Sequence, residues 1–331
     1  MKISLYPPLS IHEIGKRPKQ EDNIAQWKSR LFVLCDGMGG HDKGEVASLT
    51  VCQSLENWFE ENITDDNFTD EKLRTAIEYA YSELDKYDND SSKKMGTTLT
   101  LLFINKYGVT AAHIGDSRIY HIRPQSSTLR KCQEGCVLYQ SRDHSLVYDL
   151  YQSGEITYDE IAKFSQKNII TRAMTPGEDN RHRPDIIHIT DIQPNDFFYL
   201  CSDGMLEQMS NNELVELFST DNTDEEKRQR MITLTASNQD NHSAWLIHVK
   251  EIAHEEGDEL LLNEEPTARC NAINMFSKEN ANNNDDDDVV IVSPSPFSLR
   301  KKNKWIRNGI ILLAIILFLS IVGVLFLIIK N

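Results

Sequence analysis

Hydrophobic and polar positions along the chain switch between two periods, and the switches mark its elements. Leu31 to Cys35 is an unbroken apolar run that stops at Asp36-Gly-Met-Gly-Gly40. Such a run predicts a strand covered on both faces, here carrying a carboxylate into a glycine-rich turn. From Gly44 to Glu61 the residues Ala47, Val51, Leu55 and Trp58 or Phe59 recur at helical spacing, and Leu73, Ile77, Ala80 and Leu84 repeat the pattern. Both segments predict amphipathic helices. Between Thr97 and Ile122 the period shortens to that of strands, with a turn at Asn105 to Gly108, as in an antiparallel meander. Residues 145 to 176 read as helix and loop, broken at Gly154 and Pro176. Ile186 to Ile189 and Phe197 to Cys201 return to strand, Asn211 to Ser219 and Asp224 to Ser237 to helix, and Ala244 to Val249 to a last strand. The arrangement predicts an α+β domain, a central antiparallel β-sandwich flanked by paired helices in α-β-β-α order.

This domain is expected over residues 1–252. Residues 253–299 turn acidic and polar, with Asn282 to Asn284, Asp285 to Asp288 and Ser293-Pro-Ser-Pro296, a composition too poor in apolar surface to order itself and so expected to be a disordered linker. Residues 300–308 carry Arg300, Lys301, Lys302, Lys304 and Arg307, and residues 309–329 carry no charge. At about 1.5 Å per residue that last stretch crosses ~30 Å of hydrocarbon as a transmembrane helix. Only Lys330 follows it, so the positive-inside rule places the large N-terminal part in the cytoplasm. The expectation is a single-pass membrane protein anchored at its C-terminal end.

Composition narrows the chemistry. The 331 residues hold 35 Lys and Arg against 51 Asp and Glu, a formal charge of -16 with pI near 5.1, which argues against a nucleic-acid partner because that needs a basic face. The six cysteines show no framework spacing and fit reduced thiols. The N-terminal residues lack an apolar core of signal-peptide length.

Carboxylates carry the functional signal. A second apolar run, Phe197 to Cys201, ends in Asp203-Gly-Met205 and nearly duplicates Leu31 to Met38. Asp240 stands just before the last strand and Asp116 between two others. Singly, each is equally a turn or cap residue. Together, hard oxygen ligands at strand ends suit magnesium or manganese, and two such ions sharing a carboxylate can activate water and neutralise a phosphoryl group. Arg17-Pro-Lys-Gln-Glu21-Asp22 adds a guanidinium able to grip phosphate and two further carboxylates.

Arg17-x-x-x-Glu21-Asp22, Asp36-Gly-x-Gly-Gly40, Gly96-Thr-Thr, Gly115-Asp-Ser-Arg118, Asp203-Gly and Asp240-Asn, in this order over residues 14 to 250, resemble the type-2C metal-dependent protein serine/threonine phosphatases. Met38 is similar to the bacterial branch, and Asn168 to Ala173 to a family segment that follows a mobile flap. The resemblance implies two Mn2+ or Mg2+ ions bridged by Asp36, with the Gly37 carbonyl on one and Asp203 and Asp240 completing the other. Glu21 would act through a metal-bound water, Asp22 would orient such waters, and Arg17 would hold the substrate phosphate. Asp116 would share a third, weaker metal with Asp203. The reaction implied is direct attack of a metal-bridging hydroxide on phosphoserine or phosphothreonine in proteins.

Met38 departs from the many eukaryotic relatives that carry a histidine acid there, so a metal-bound water becomes the proton donor expected, with His41 a weaker candidate. The implied partners are phosphorylated proteins, among them a membrane-associated serine/threonine kinase or its targets, and the implied location is the bacterial inner membrane. A rival of another class is a catalytically weak or inactive membrane-anchored regulator of the same fold that only binds phosphoproteins. Cys136 and Arg142 also satisfy a cysteine-phosphatase spacing, but Val, Leu and Tyr between them do not make a phosphate cradle.

Overall fold

Side-chain parity along the long strands builds the layers. The computed structural model describes residues 1–39, 43–87, 95–124, 135–161, 164, 169–178 and 181–253. Its strands are β1 (Lys2–Leu5), β2 (Leu9–Glu13), β3 (Asp22–Trp27), β4 (Leu31–Met38), β5 (Gly96–Thr97), β6 (Leu99–Asn105), β7 (Gly108–Ile114), β8 (Arg118–Arg123), β9 (Cys136–Gln140), β10 (Asp185–Ile189), β11 (Phe197–Cys201) and β12 (His242–Ala253). The helices are α1 (Lys43–Asn62), α2 (Asp70–Asp85), α3 (Leu146–Ser153), α4 (Tyr158–Ile161), α5 (Asn211–Phe218) and α6 (Asp224–Thr235).

One antiparallel sheet runs β10-β7-β6-β4-β3 with β5 on β4; the other runs β1-β12-β11-β8-β9 with β2 also on β12. In β4, Phe32 and Leu34 point between the sheets, whereas Leu31, Val33 and Cys35 pack under Val51, Leu55 and Phe59 of α1 and Leu73, Ile77 and Leu84 of α2. β11 follows the same rule: Phe198 and Leu200 enter the inter-sheet core, and Phe197, Tyr199 and Cys201 face Leu214, Leu217 and Phe218 of α5 and Met231 of α6. Each continuous apolar run is therefore a strand covered on both faces, as its composition predicts. The Phe32 and Trp245 rings meet edge to face across the sandwich at 5.4 Å and 67°, and Trp245 Nε1 donates to the Val33 carbonyl at 3.0 Å. Helix starts are closed locally. Ser210 with Glu213 and Thr223 with Glu226 form capping boxes at α5 and α6, each satisfying two otherwise orphaned N–H groups.

The predicted sandwich and both helix pairs are present. Five strands lie outside the prediction. β1, β2 and β9 are short and mostly half-buried, β5 is only two residues long, and β3 has neither a continuous apolar run nor a clean alternation; tertiary pairing decides such segments more than local pattern does. The last strand is longer than predicted because β2 pairs with its first half and β1 with its second. No helix among the described residues is long and apolar enough to cross a membrane. The segments expected as linker beyond Ala253, basic cluster and transmembrane helix lie outside the described residues, as do His41, Asn168 and two of the six cysteines, Cys132 and Cys270.

Candidate metal centre

The strands that carry the aspartates belong to different sheets but end at one edge of the sandwich. Asp36 lies near the end of β4, and Asp22, which opens β3, is its register partner. Asp203 begins a 3-10 turn just after β11, Asp240 stands two residues before β12, and Asp116 occupies the turn between β7 and β8. The Asp36 and Asp203 carboxyls lie within hydrogen-bond reach of each other. Burial first, and then the charges of Asp22, Asp203, Asp116 and Asp240, push the Asp36 carboxyl well above the usual carboxylate range. Burial likewise raises Asp203 to about 6, with Asp240 adding to it. Asp22 rises to about 7, chiefly through burial, and Asp116 to about 8 through burial and then the Asp203 charge.

Such a cluster is unfavourable for the protein alone, since desolvation and like charge both oppose ionisation. A bound cation reverses both effects. Asp22 Oδ1 and Asp116 Oδ1 are buried without a hydrogen-bond partner. All the donors are hard oxygens, so the residue set fits magnesium or manganese.

Neighbouring side chains hold the cluster in place. The Asp36 N–H donates to Thr98 Oγ1 at 2.9 Å, Thr97 Oγ1 donates to the Asp36 carbonyl at 2.9 Å, and Thr98 Oγ1 pairs with Ser117 Oγ at 2.8 Å. The Gly96-Thr-Thr stretch thus joins the Asp36 strand to the Asp116 turn. A Cβ on Gly37 would stand 2.2 Å from the Gly44 carbonyl oxygen, so the start of α1 can close on this loop only with glycine there. Ser202 Oγ donates to Asp22 Oδ2 at 2.8 Å and accepts from the Ser243 N–H at 2.9 Å. Asn241 Oδ1 accepts from the Glu21 N–H at 2.8 Å while its Nδ2 donates to the carbonyls of Ile14 and Lys19. Sequence reading missed Ser202 and Ser243; the available signal was a serine between the apolar run ending at Cys201 and Asp203, and a serine just before the run that starts at Ala244.

Arg17 is half exposed at the rim and pairs with Asp240 at 2.5 Å, and that hydrogen bond raises its already high pKa. Glu21 and Asp203 also lie within its electrostatic reach. Arg118 is not the partner of Asp116; it makes two 2.7 Å bonds to Asp143 instead. Met38 pairs with Gly96 between β4 and β5. Cys136 begins the extended strand β9 and Arg142 lies beyond its end, so no loop brings thiol and guanidinium around a shared anion. Cys35, Cys52 and Cys201 are buried free thiols.

Among the described residues, His113, His144 and Asp185 form a further group whose ligand-type atoms lie within 4.8 Å of one another. The rings of His113 and His144 are stacked at 4.6 Å and 12°. No sequence pattern announced this group, because its members come from β7, from the residue before α3's cap and from β10.

The protein phosphatase 2C family model matches residues 12–246. A protein phosphatase 2C-type protein of Streptococcus pyogenes is 32% identical over 257 residues, covering 75% of this chain and 97% of its own. Among solved structures, the serine/threonine phosphatase Stp1 from Staphylococcus aureus superimposes with TM-score 0.64 at 30% identity, over 76% of this chain and 98% of that one. The catalytic domain of the serine/threonine protein phosphatase PstP in complex with two manganese ions does so with TM-score 0.61 at 27% identity, over 75% and 99%.

Proposed function

The chain belongs to the protein phosphatase 2C family and is a serine/threonine protein phosphatase, and from that premise we propose that it hydrolyses phosphoserine and phosphothreonine monoesters at the aspartate cluster with two Mn2+ or Mg2+ ions. The observation that carries this reading is the convergence of Asp36, Asp203, Asp22, Asp116 and Asp240 from both sheets on one edge of the sandwich, where burial and mutual repulsion raise the carboxyls that burial reaches most.

In this reading Asp36, the Gly37 carbonyl, Asp203 and Asp240 hold the two ions, Glu21 and Asp22 orient the water around them, and Asp116 with Asp203 offers a weaker third position. When bound, the ions lower the pKa of water to give a nucleophile near neutral pH and neutralise charge on the phosphoryl group. The chain supplies the rest. Arg17 grips the substrate phosphate with a planar fork. Its 2.5 Å pair with Asp240 is half exposed and so cheap to break, on the order of 0–1 kcal/mol. Ser202 fixes Asp22, and Thr97 and Thr98 fix the Asp36 main chain, so the carboxylates keep their orientation as charge builds on the substrate. No side chain at the Met38 position can donate a proton, so the leaving alkoxide takes its proton from water.

The uncharged residues 309–329 and the basic residues before them support a further part of the reading, in which the domain is held at a bacterial inner membrane from the cytoplasmic side. Tethering would raise its concentration near membrane-associated phosphoproteins, including a serine/threonine kinase or its targets.

The test is phosphate release from a phosphothreonine peptide by the full chain. Activity should require Mn2+ or Mg2+, vanish on chelation and vanish in Asp36→Asn. Activity that survives chelation, or none across a panel of phosphopeptides, would overturn the reading.

A further inference from the structure

Four consecutive residues, Ser141 to His144, run beside Gly115 to Ile119 and bond to it or to its neighbour β7. The Ser141 N–H donates to the Ile119 carbonyl at 2.9 Å, and Ser141 Oγ accepts from the Ile119 N–H at 2.9 Å. The Arg142 carbonyl faces His113 Nε2 at 2.7 Å, and Asp143 takes the Arg118 fork. His144 closes the series. Its N–H donates to the Gly115 carbonyl at 2.9 Å, and its Nδ1 accepts from the Gly115 N–H at 3.1 Å. One residue thus satisfies both main-chain groups of the glycine that precedes Asp116.

Gly115 has little freedom of its own. Its φ is +105°, and a Cβ there would lie 2.6 Å from Thr98 Cγ2. On its other side His144 holds the segment that returns from residues 145 to 170, since the Thr171 N–H donates to the His144 carbonyl at 2.8 Å and the Leu146 N–H to Ile169 at 2.8 Å. The His144 ring is buried, stacked on His113, with Nε2 at 3.2 Å from Asp185 Oδ2.

The His113, His144 and Asp185 grouping invites a metal-site reading, but the proton count opposes it. A neutral imidazole carries one N–H and one lone pair. His144 Nδ1 spends its lone pair on the Gly115 N–H, so the proton sits on Nε2, where it faces Asp185. Metal binding at Nε2 would move that proton to Nδ1 and set N–H against N–H at Gly115. The Arg172 guanidinium also stands 3.4 Å from Nε2 and 3.3 Å from Asp185 Oδ1, where a second cation would be repelled.

We propose that His144 is a positioning residue of the metal centre, a clamp that sets the Gly115 main chain, and with it the Asp116 carboxylate, against the 169–172 segment. Asp185 and the stacked His113 ring hold its orientation. The clamp is geometric; it rests on the phosphatase reading only for the purpose Asp116 serves.

Two measurements on the full chain test it. With 15N-labelled histidine, the His144 ring should show a bare Nδ1 and a protonated Nε2, both with chelator and with added Zn2+. A protonated Nδ1, or loss of the Nε2 proton on adding Zn2+, would overturn the clamp. Mn2+ binding followed by electron paramagnetic resonance gives the second readout. His144→Asn places a carbonyl oxygen near the Nδ1 position, where it can accept from Gly115, and should bind the weakest Mn2+ much as the unmutated chain does. His144→Gln reaches towards Asp185 instead and should lose about 10-fold or more at that ion, the scale seen when groups that orient ligands are removed. Equal loss in both variants, or loss in neither, refutes the proposal. A chain that keeps Asn above Gln in Mn2+ affinity but releases no phosphate supports the clamp while removing the phosphatase reading.

Discussion

Replacing Asp22 by Asn should stabilise the metal-free protein and weaken its hold on metal. Asp22 is 1% exposed, its Oδ2 accepts from Ser202 at 2.8 Å, and its Oδ1 has no partner. Burial, helped by the charges of Asp203 and Asp240, raises its pKa from 3.8 to about 7. The unfolded chain therefore releases this proton at lower pH than the native one. The resulting penalty grows as pH rises from 3.8 through 7 and is constant above. Linkage at ~1.4 kcal/mol per pKa unit makes it about 4 kcal/mol at pH 8 and about 2 kcal/mol at pH 5. Asn is nearly the same shape, can still accept from Ser202 and has no charge to desolvate. In chelator, urea unfolding of Asp22→Asn should give a higher midpoint with an unchanged slope, and the gain should shrink by about half from pH 8 to pH 5. Saturating Mn2+ should reverse the order, because the ionised carboxylate then has a cation beside it. Equal stability of the two proteins in chelator at pH 8, or a gain that grows towards acid, would refute this account of the centre.

Two structural predictions accompany it. Phe32→Ala empties a fully buried site against the Trp245 ring and should cost about 3–5 kcal/mol, read as a lower Tm; a loss well under that range would mean the two sheets close over the gap. Asp143→Ala leaves the largely covered Arg118 guanidinium unpaired and should cost about 3–5 kcal/mol, with Asp143→Asn recovering part of it through one retained acceptor. Equal unfolding midpoints for the Ala and Asn variants would argue against that hydrogen-bonded role.

The four layers were readable from residue order because the rule behind them is local. Phe32 and Leu34 must point opposite to Leu31, Val33 and Cys35, so five apolar residues in a row require cover on both sides. Asp36, Asp203 and Asp240 were nameable for a related reason, each standing where an apolar run stops or starts. β1, β2 and β9 escaped because they are short and mostly half-buried, and what makes them strands is the partner they add to β12 or β8. Their pairing energy resides in another part of the chain.

What the linear pattern could not state is which atoms meet. That Arg118 pairs with Asp143 and leaves the Asp116 carboxylate with an unpartnered oxygen depends on a segment 25 residues away from the arginine. His144 had no distinguishing neighbours in sequence; its role follows only from Gly115, Thr171 and Asp185 arriving around it. Residue types and periodicity decide which side chains are buried and which carboxylates stand at strand ends. Hydrogen-bond partners, protonation and tautomer depend on distances of a few ångströms between segments far apart in the chain, and only folding sets those.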